Sequence, residues 1–434
     1  MYNVYGRTRR ILTGSLLALL ATTSTLRAQG LGSSPYSAFG LGERYEEGNV
    51  TNQGMGGVGV SNASPFFLNL QNPALLARRT RFTVFEVGLV GQSRTLSQTL
   101  STTQQNQQNS GGNLNYLALA FPANSRWNMA ISLRPYTYVD YTTRQNSSVI
   151  GTPYTAQFEY SGRGGLNKAS FTNGVRVTKN TYLGVEGSFL FGNVTYSSIS
   201  RVITTSVQNS EINRINRINY SDVIVKFGAA WRPKLGENWS LNVGATFDPG
   251  LRIKATQTDI YQQTTLAGQN LSPADTIGIN ATSRTQLPQQ ARFGVTLERT
   301  NSLVFGVDVG MQRWSQFRPV DGQTNRLTDV MTAAAGLEYT PKVNSSRYRD
   351  ILTYRVGFQY NQQPFQINGQ SVHDVNGSIG VSLPVGAYRV NHVSLALAVG
   401  QRGALTNSMV RENYVRLALG FSLNDWWFRK PVID

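Results

Sequence analysis

The sequence predicts an all-β protein: a transmembrane antiparallel β-barrel of about fourteen strands with an N-terminal plug. Three observations carry this reading. A basic and apolar leader opens the chain. Apolar and polar residues then alternate with period two through most of the rest. The connections between the alternating segments are short and long by turns.

In the leader, Arg7, Arg9 and Arg10 precede an apolar run at 11–21, and Leu26-Arg27-Ala28 offers a cleavage site before Gln29. The run is too short to span a bilayer as a helix, so residues 1–28 read as a secretory signal peptide. Without Arg7, Arg9, Arg10 and Arg27 the formal charge falls from +17 to +13. A basic exported chain is expected to meet anionic lipid headgroups and lipopolysaccharide of the outer membrane, and no nucleic acid. The absence of cysteine excludes a disulfide framework, a thiolate metal site and a lipid-anchored N-terminal Cys. Two histidines, His373 and His392, are too few for a histidine metal cluster.

Residues 29–79 are expected to form the plug, or hatch. They contain Gly54-Met55-Gly56-Gly57-Val58-Gly59-Val60 and then Asn69-Leu70-Gln71-Asn72-Pro73-Ala74. Closely spaced glycines let the backbone pack against a wall, and Asn72-Pro73 sets a local turn. Val58, Val60, Phe66, Phe67, Leu68 and Leu70 give the stretch more apolar surface than a disordered linker carries.

Residues 80–423 are expected to be the barrel. Leu303, Phe305, Val307, Val309 and Met311 alternate with small or polar residues, as do Val393, Leu395, Leu397 and Val399, and Val415, Leu417, Leu419, Phe421 and Leu423. Strict alternation marks a strand with one apolar face. Fourteen such segments lie near 82–91, 114–122, 127–141, 168–177, 182–196, 221–232, 240–253, 290–299, 302–313, 328–340, 352–360, 375–383, 392–401 and 414–423.

Short turns (124–125, 179–180, 236–238, 300–301, 344–350, 386–391) alternate with long polar connections (97–113, 142–167, 198–219, 257–289, 314–327, 361–374, 402–413). An even strand number with short periplasmic turns and long extracellular loops is the anatomy of an outer-membrane barrel, and it leaves both termini in the periplasm. Trp127, Trp231, Trp239, Trp426 and Trp427 gather at the short-turn end or the C-terminus, as the aromatic girdle at one membrane interface requires, while Trp314 sits on the loop side. The tail at 424–434 reads as a periplasmic extension.

With the apolar register facing lipid, the other register faces the lumen. It holds Glu86, Arg134, Arg176, Glu186, Lys226, Arg292, Glu298, Asp308, Glu338, Arg355 and Arg416. Interspersed charges of both signs are expected to brace the barrel and bind the hatch; the alternative is a charge filter for a solute. Inward small residues (Gly294, Gly306, Gly336, Gly380, Gly400, Gly420) leave room for a plug or ligand.

Catalytic chemistry is not legible. There is no nucleophile elbow, P-loop, His-Glu-x-x-His or dinucleotide fingerprint, and the Gly54–Gly59 run lacks the Lys-Ser/Thr and the preceding strand of a phosphate loop. The chain reads as a non-enzyme with no catalytic residue, metal or cofactor.

The run Gly54, Gly56, Gly57, Gly59 followed by Asn72, Pro73 and Ala74, ahead of a fourteen-strand body, resembles the FadL family of outer-membrane transporters. The opening Ser34-Pro35-Tyr36-Ser37-Ala38-Phe39-Gly40-Leu41-Gly42 is similar to a poorly characterised branch of it. The resemblance implies a hatch-plugged barrel that passes hydrophobic compounds such as long-chain fatty acids, with a hydrophobic small molecule as ligand. The alternative is a FadL-like partner barrel in a protein secretion or outer-membrane assembly complex. A general polar porin is the third reading, and the plug argues against it.

Overall fold

The structure, a computed structural model, describes residues 30–425 apart from 63, 65, 79–81, 101–102, 204–209, 266–268, 321–326, 387–388 and 407–408. The expected signal peptide and nearly all of the expected tail, with Trp426 and Trp427, lie outside the described residues.

One antiparallel sheet holds every described strand. A two-residue strand β1 (Glu43–Arg44) belongs to the hatch. The wall begins with β2 (Thr83–Leu100), β3 (Thr103–Pro122), β4 (Trp127–Ser148), β5 (Thr155–Arg176), β6 (Thr181–Ile203) and β7 (Ser210–Trp231). It continues with β8 (Trp239–Asp248), β9 (Arg252–Thr265), β10 (Asp275–Gln286), β11 (Gln289–Arg299), β12 (Leu303–Arg313) and β13 (Val330–Tyr339). It ends with β14 (Thr353–Ile367), β15 (Gln370–Val385), β16 (Asn391–Arg402) and β17 (Arg411–Asp425).

β8 and β9 are two halves of one span, interrupted at Pro249-Gly250-Leu251, and β10 and β11 are halves of the next, interrupted at Leu287-Pro288. Proline brings no N–H to a ladder, so each interruption falls where the sequence cannot continue it. The wall therefore has fourteen spans, closed by β17 on β2 from Arg411↔Ser97 to Asp425↔Thr83.

Each segment read from the alternation lies on one of these spans. Outward residues such as Leu395, Leu397, Val399, Phe305, Val307 and Val309 are exposed, as a lipid face requires. Inward positions such as Gly184, Gly244, Gly336 and Gly357 lie against the hatch.

The connections differ from expectation. Most of 97–113, 142–167, 198–219 and 257–289 is not loop but continued strand. β4, β5 and β7 run for 22 residues and β6 for 23, about twice what a tilted strand needs to cross a bilayer. These extensions are rich in Thr, Ser, Asn and Gln on both faces, so they give no alternation signal, yet neighbouring backbones still pair. The opposite side of the barrel is low: β12 has 11 residues and β13 has 10. The rim is thus a tall palisade on one side and a short wall on the other.

The wall has two discontinuities. The β3–β4 ladder spans only Leu117–Pro122 against Asn128–Leu133. Beyond it, the hatch occupies the edge of β4: Glu43 pairs with Tyr138 and Arg44 with Thr137, Ser34 N donates to Asp140 O at 2.8 Å, and Tyr45 N donates to Tyr136 O at 3.1 Å. The second break lies where β7 passes from β8 to β9. Residues 221–226 of β7 have no ladder partner on that side, and Lys254 N donates to the Asp222 carboxylate at 2.8 Å.

Trp127, Trp231 and Trp239 are exposed at the short-turn end. Trp314 is not at an interface. It is 4% exposed and packs inside the barrel with Leu41, Leu166, Leu190 and Phe317, toward the end of the wall that carries the tall strand extensions, the hairpin end.

Candidate functional site

The hatch has little regular structure: a 3-10 turn at Pro35–Ala38, β1, a short helix α1 (Val50–Gly54) and a 3-10 turn at Pro73–Arg78. Its buried carbonyls therefore need donors from side chains, and Asn and Gln supply them. Asn49 and Asn52 form a reciprocal cap on α1, through Asn52 N to Asn49 Oδ1 at 3.0 Å and Asn49 N to Asn52 Oδ1 at 3.2 Å. Asn52 also donates to Val58 O, Gln71 to Gly57 O and Glu47 O, and Asn69 to Gly59 O and Asn62 O. Asn72 donates to Val60 O at 2.7 Å and to Ala229 O of the wall at 3.2 Å, and accepts from Ala74 N at 3.0 Å. The two sequence motifs are thus halves of one knot: the glycine run offers carbonyls, and Asn69–Asn72 offers amides. Gly56 and Gly57 turn the chain at φ of 68° and 86°, a region side chains disfavour.

The knot lies directly on a belt of wall glycines. A side chain at Gly357 would begin 2.0 Å from Gly56 N; at Gly184, 2.3 Å from Pro73 C; at Gly244, 2.1 Å from Val60 O; at Gly336, 2.4 Å from Met55 O. The belt follows the ladder, with Gly174↔Gly184↔Gly228 across β5, β6 and β7, and Gly306↔Gly336↔Gly357 across β12, β13 and β14. Gly294 and Gly380 also face the hatch, at Ser61 and Gly54. Gly420 faces Val50, while Gly400 makes room for Tyr414.

Most of the charged residues read as lumenal meet the hatch. Asp308 accepts from Gly59 N at 2.7 Å and Val60 N at 2.8 Å, and Glu86 accepts from Leu68 N at 2.7 Å. Arg134 donates to Leu70 O at 2.6 Å and pairs with Glu186, which also holds Lys168. Lys226 reaches Glu47 at 2.7 Å, with Arg292 3.7 Å from the same carboxylate. Glu298 pairs with Arg78 at 2.8 Å and Arg232 at 3.2 Å. Arg416 binds Glu46, and Arg355 lies over the Phe67 ring while pairing with Glu338 at 2.7 Å. Arg176 differs: it donates to Ser125 O at the short-turn rim and, among the described residues, joins no hatch contact.

Sequence reasoning missed the densest cluster. Glu43 of the hatch meets Arg94 and Arg402; Arg402 also pairs with Asp374 at 2.8 Å, and Glu412 contacts Arg94, Arg402 and the Ser34 hydroxyl. Arg94 continues the inward register of Glu86, and Glu412 that of Arg416. Both lay beyond the strand ends read from apolar alternation. The hatch side of the lock, Glu43-Arg44-Tyr45-Glu46-Glu47, was legible as a charge run but was not singled out.

The field of this lock is strong. Burial pushes the Glu47 carboxyl up, but Lys226, Lys168, Arg44 and Arg292 outweigh it and hold Glu47 well below the usual carboxylate range. Burial likewise opposes ionisation of Glu43, and Arg402 and Arg94 override it downward. Tyr45 is pushed up to about 12, chiefly by burial. Between the hatch and the hairpin end remains a cavity of about 170 Å³ lined mainly by polar side chains.

A closed fourteen-span barrel filled by a glycine- and asparagine-knotted N-terminal segment has the FadL-type barrel fold. The family model described as BamG matches residues 9–434, and the chain belongs to the BamG family. No curated protein matches it by sequence. Among solved structures it is similar to a Pseudomonas aeruginosa FadL homologue at 14% identity and TM-score 0.59, covering 89% of this chain and 100% of that one. The monoaromatic hydrocarbon channel CymD follows at 13% identity and TM-score 0.57, with 87% and 97% covered. The P. putida toluene transporter TodX is at 14% identity and TM-score 0.56, with 89% and 100% covered. At these identities the likeness defines the fold.

Proposed function

We propose that the protein is a sealed FadL-type barrel that serves as a partner within an outer-membrane assembly or secretion complex. The observation that carries this reading is the lock. The hatch is tied to wall strands on all sides through Asp308, Glu86, Arg134, Lys226, Glu298, Arg402 and Arg416. The cavity beside it is small and polar. Capture of an acyl chain draws on about 0.8 kcal/mol per buried CH₂, and a charged, amide-lined chamber offers little of that. Membership of the BamG family supports the same reading, since the hydrocarbon channels share the fold at 13–14% identity. In this reading the short turns and both termini face the periplasm, the palisade stands outside the cell as contact surface, and lipopolysaccharide surrounds the wall.

A second reading, passage of a hydrophobic compound, has its own observations: the channel fold and the two breaks in the wall. Such a compound would move laterally through a break as the hatch shifts.

Extraction from native membranes in mild detergent, followed by mass spectrometry of proteins and lipids, tests the proposal. A stoichiometric protein partner with no bound apolar ligand is the expected result. Bound fatty acid or hydrocarbon with no partner would reject it in favour of the channel.

A further inference from the structure

We propose that the cavity between hatch and hairpin end is a binding site for a neutral, hydroxyl-rich ligand: a saccharide ring. Its lining carries four carboxylates (Glu43, Glu46, Glu47, Asp374) and four guanidiniums (Arg44, Arg292, Arg402, Arg416), and these pair largely among themselves and with neighbouring strands. The formal charges cancel, so the chamber selects neither an anion nor a cation.

What remains for a ligand is neutral hydrogen-bonding capacity. Gln290 and Gln312 accept from Arg44 through their side-chain oxygens, at 3.0 and 2.8 Å, which leaves their amide N–H groups as donors. Gln359 accepts from Asn376 at 3.0 Å, and its nitrogen faces the Gly57 floor. The side-chain amides of Asn361 and Gln363 make no hydrogen bond among the described residues, so each offers both a donor and an acceptor. Amides that give and take hydrogen bonds match vicinal hydroxyls. Trp314 and the half-exposed Phe39, stacked on Phe365 at 4.2 Å, supply the apolar wall that the C–H face of a sugar ring needs. The volume of about 170 Å³ is below the range of drug-sized pockets and suits a single ring better than a long chain.

The protein would be purified in an amine-oxide detergent, which carries no sugar. Binding of glucose, galactose, N-acetylglucosamine and the neutral disaccharide lactose would be followed by ligand-observed NMR. At least one of them is expected to bind, and the Asn361→Leu/Gln363→Leu variant is expected to weaken it by about tenfold or more. Gln104→Leu, on the exposed palisade, should leave it unchanged. Binding of a monosaccharide, or of lactose alone through one of its rings, supports the site. If the double variant does not form a closed barrel, Thr332→Val, whose residue also lines the cavity, carries the same expectation. The proposal is overturned if none of the four binds at about 10 mM, where a Kd of about 1 mM would give near-saturation. It is equally overturned if the variant that folds binds as the parent does.

Discussion

Lys226 on β7 and Glu47 of the hatch meet at 2.7 Å inside the barrel, with the lysine side chain 3% exposed. The ammonium is almost wholly out of water and depends on its carboxylate partners Glu47 and Asp248, while the Glu47 carboxylate is 16% exposed. Breaking a buried pair from one side costs up to about 3–5 kcal/mol, and here Arg44 and Arg292 still face Glu47 and keep the loss toward the lower end. Lys226→Met should lower barrel stability by that order. Adding Glu47→Gln should recover part of it, because the remaining Arg44 and Arg292 then lose only a partial partner. Urea unfolding in detergent micelles measures both.

The glycine belt makes a sharper test of docking. Gly357→Ala would place a methyl group 2.0 Å from Gly56 N, whereas a Cβ at Gly377, on the adjacent strand, meets nothing within 4 Å. Gly357→Ala should expose the hatch to protease while the barrel stays closed. Gly377→Ala should behave as the parent. Equal protease resistance in both would mean that the hatch does not lie on the belt.

Asn72 joins the knot to the wall through Val60 O, Ala229 O and Ala74 N. Asn72→Ala leaves buried backbone groups unsatisfied and should cost about 1–3 kcal/mol. Asn72→Asp keeps the acceptor for Ala74 but removes both donations, so it should resemble Ala rather than the parent. Thermal unfolding of the three proteins decides it.

The register of the wall is tested at neighbouring positions. Leu395 is 38% exposed on the outer face and Ala396 is 4% exposed inside. Leu395→Arg should cost about 2–4 kcal/mol near the membrane midplane, while Ala396→Ser should be close to silent. Folding yield into lipid bilayers reads the difference.

The hatch lock also fixes a pH response. Glu43 and Glu47 have carboxyls depressed below the ordinary value of 4.5. A depressed carboxylate contributes stability that is present above its unfolded pKa and is lost as pH falls through the folded one. Hatch protection should therefore be flat from neutral pH down to the ordinary carboxylate range and decline only in stronger acid. Hydrogen exchange of the hatch amides as a function of pH checks this. A loss of protection centred near pH 6 would contradict the lock.

The parts legible in the sequence were those where physics writes a period. Leu395, Leu397 and Val399 face outward because lipid demands it, and every strand with that demand could be read. The palisade could not. Gln104–Asn109 is polar on both faces, and Arg214–Asn219 puts one isoleucine on each face (Ile215 and Ile218), so neither segment shows a period of two. The same truncation hid Arg94 and Glu412, which sit on inward registers past the apolar band. One wall break follows the β3–β4 divergence and the other lies beside Pro249, where β7 passes from β8 to β9; from the sequence Pro249 reads as part of a strand end and Pro288 as loop. Trp314 reads from the sequence only as a loop-side residue, because position in sequence does not tell whether a connection folds into the lumen. The hatch motif was recognised, but its logic, Asn and Gln side chains serving the carbonyls of a glycine run, emerges only in three dimensions.

A sealed barrel requires that the hatch stay in place while the protein works. Ser61 Oγ and Thr296 Oγ1 lie 2.6 Å apart, joining hatch to wall, and the chain contains no cysteine. Ser61→Cys/Thr296→Cys would tether the hatch on oxidation. The measurement is growth of cells that depend on this protein, together with partner recovery, compared between oxidised and reduced tether. Equal growth and equal recovery are predicted. Loss of function on oxidation, restored by reduction, would contradict the account and show that the hatch must move.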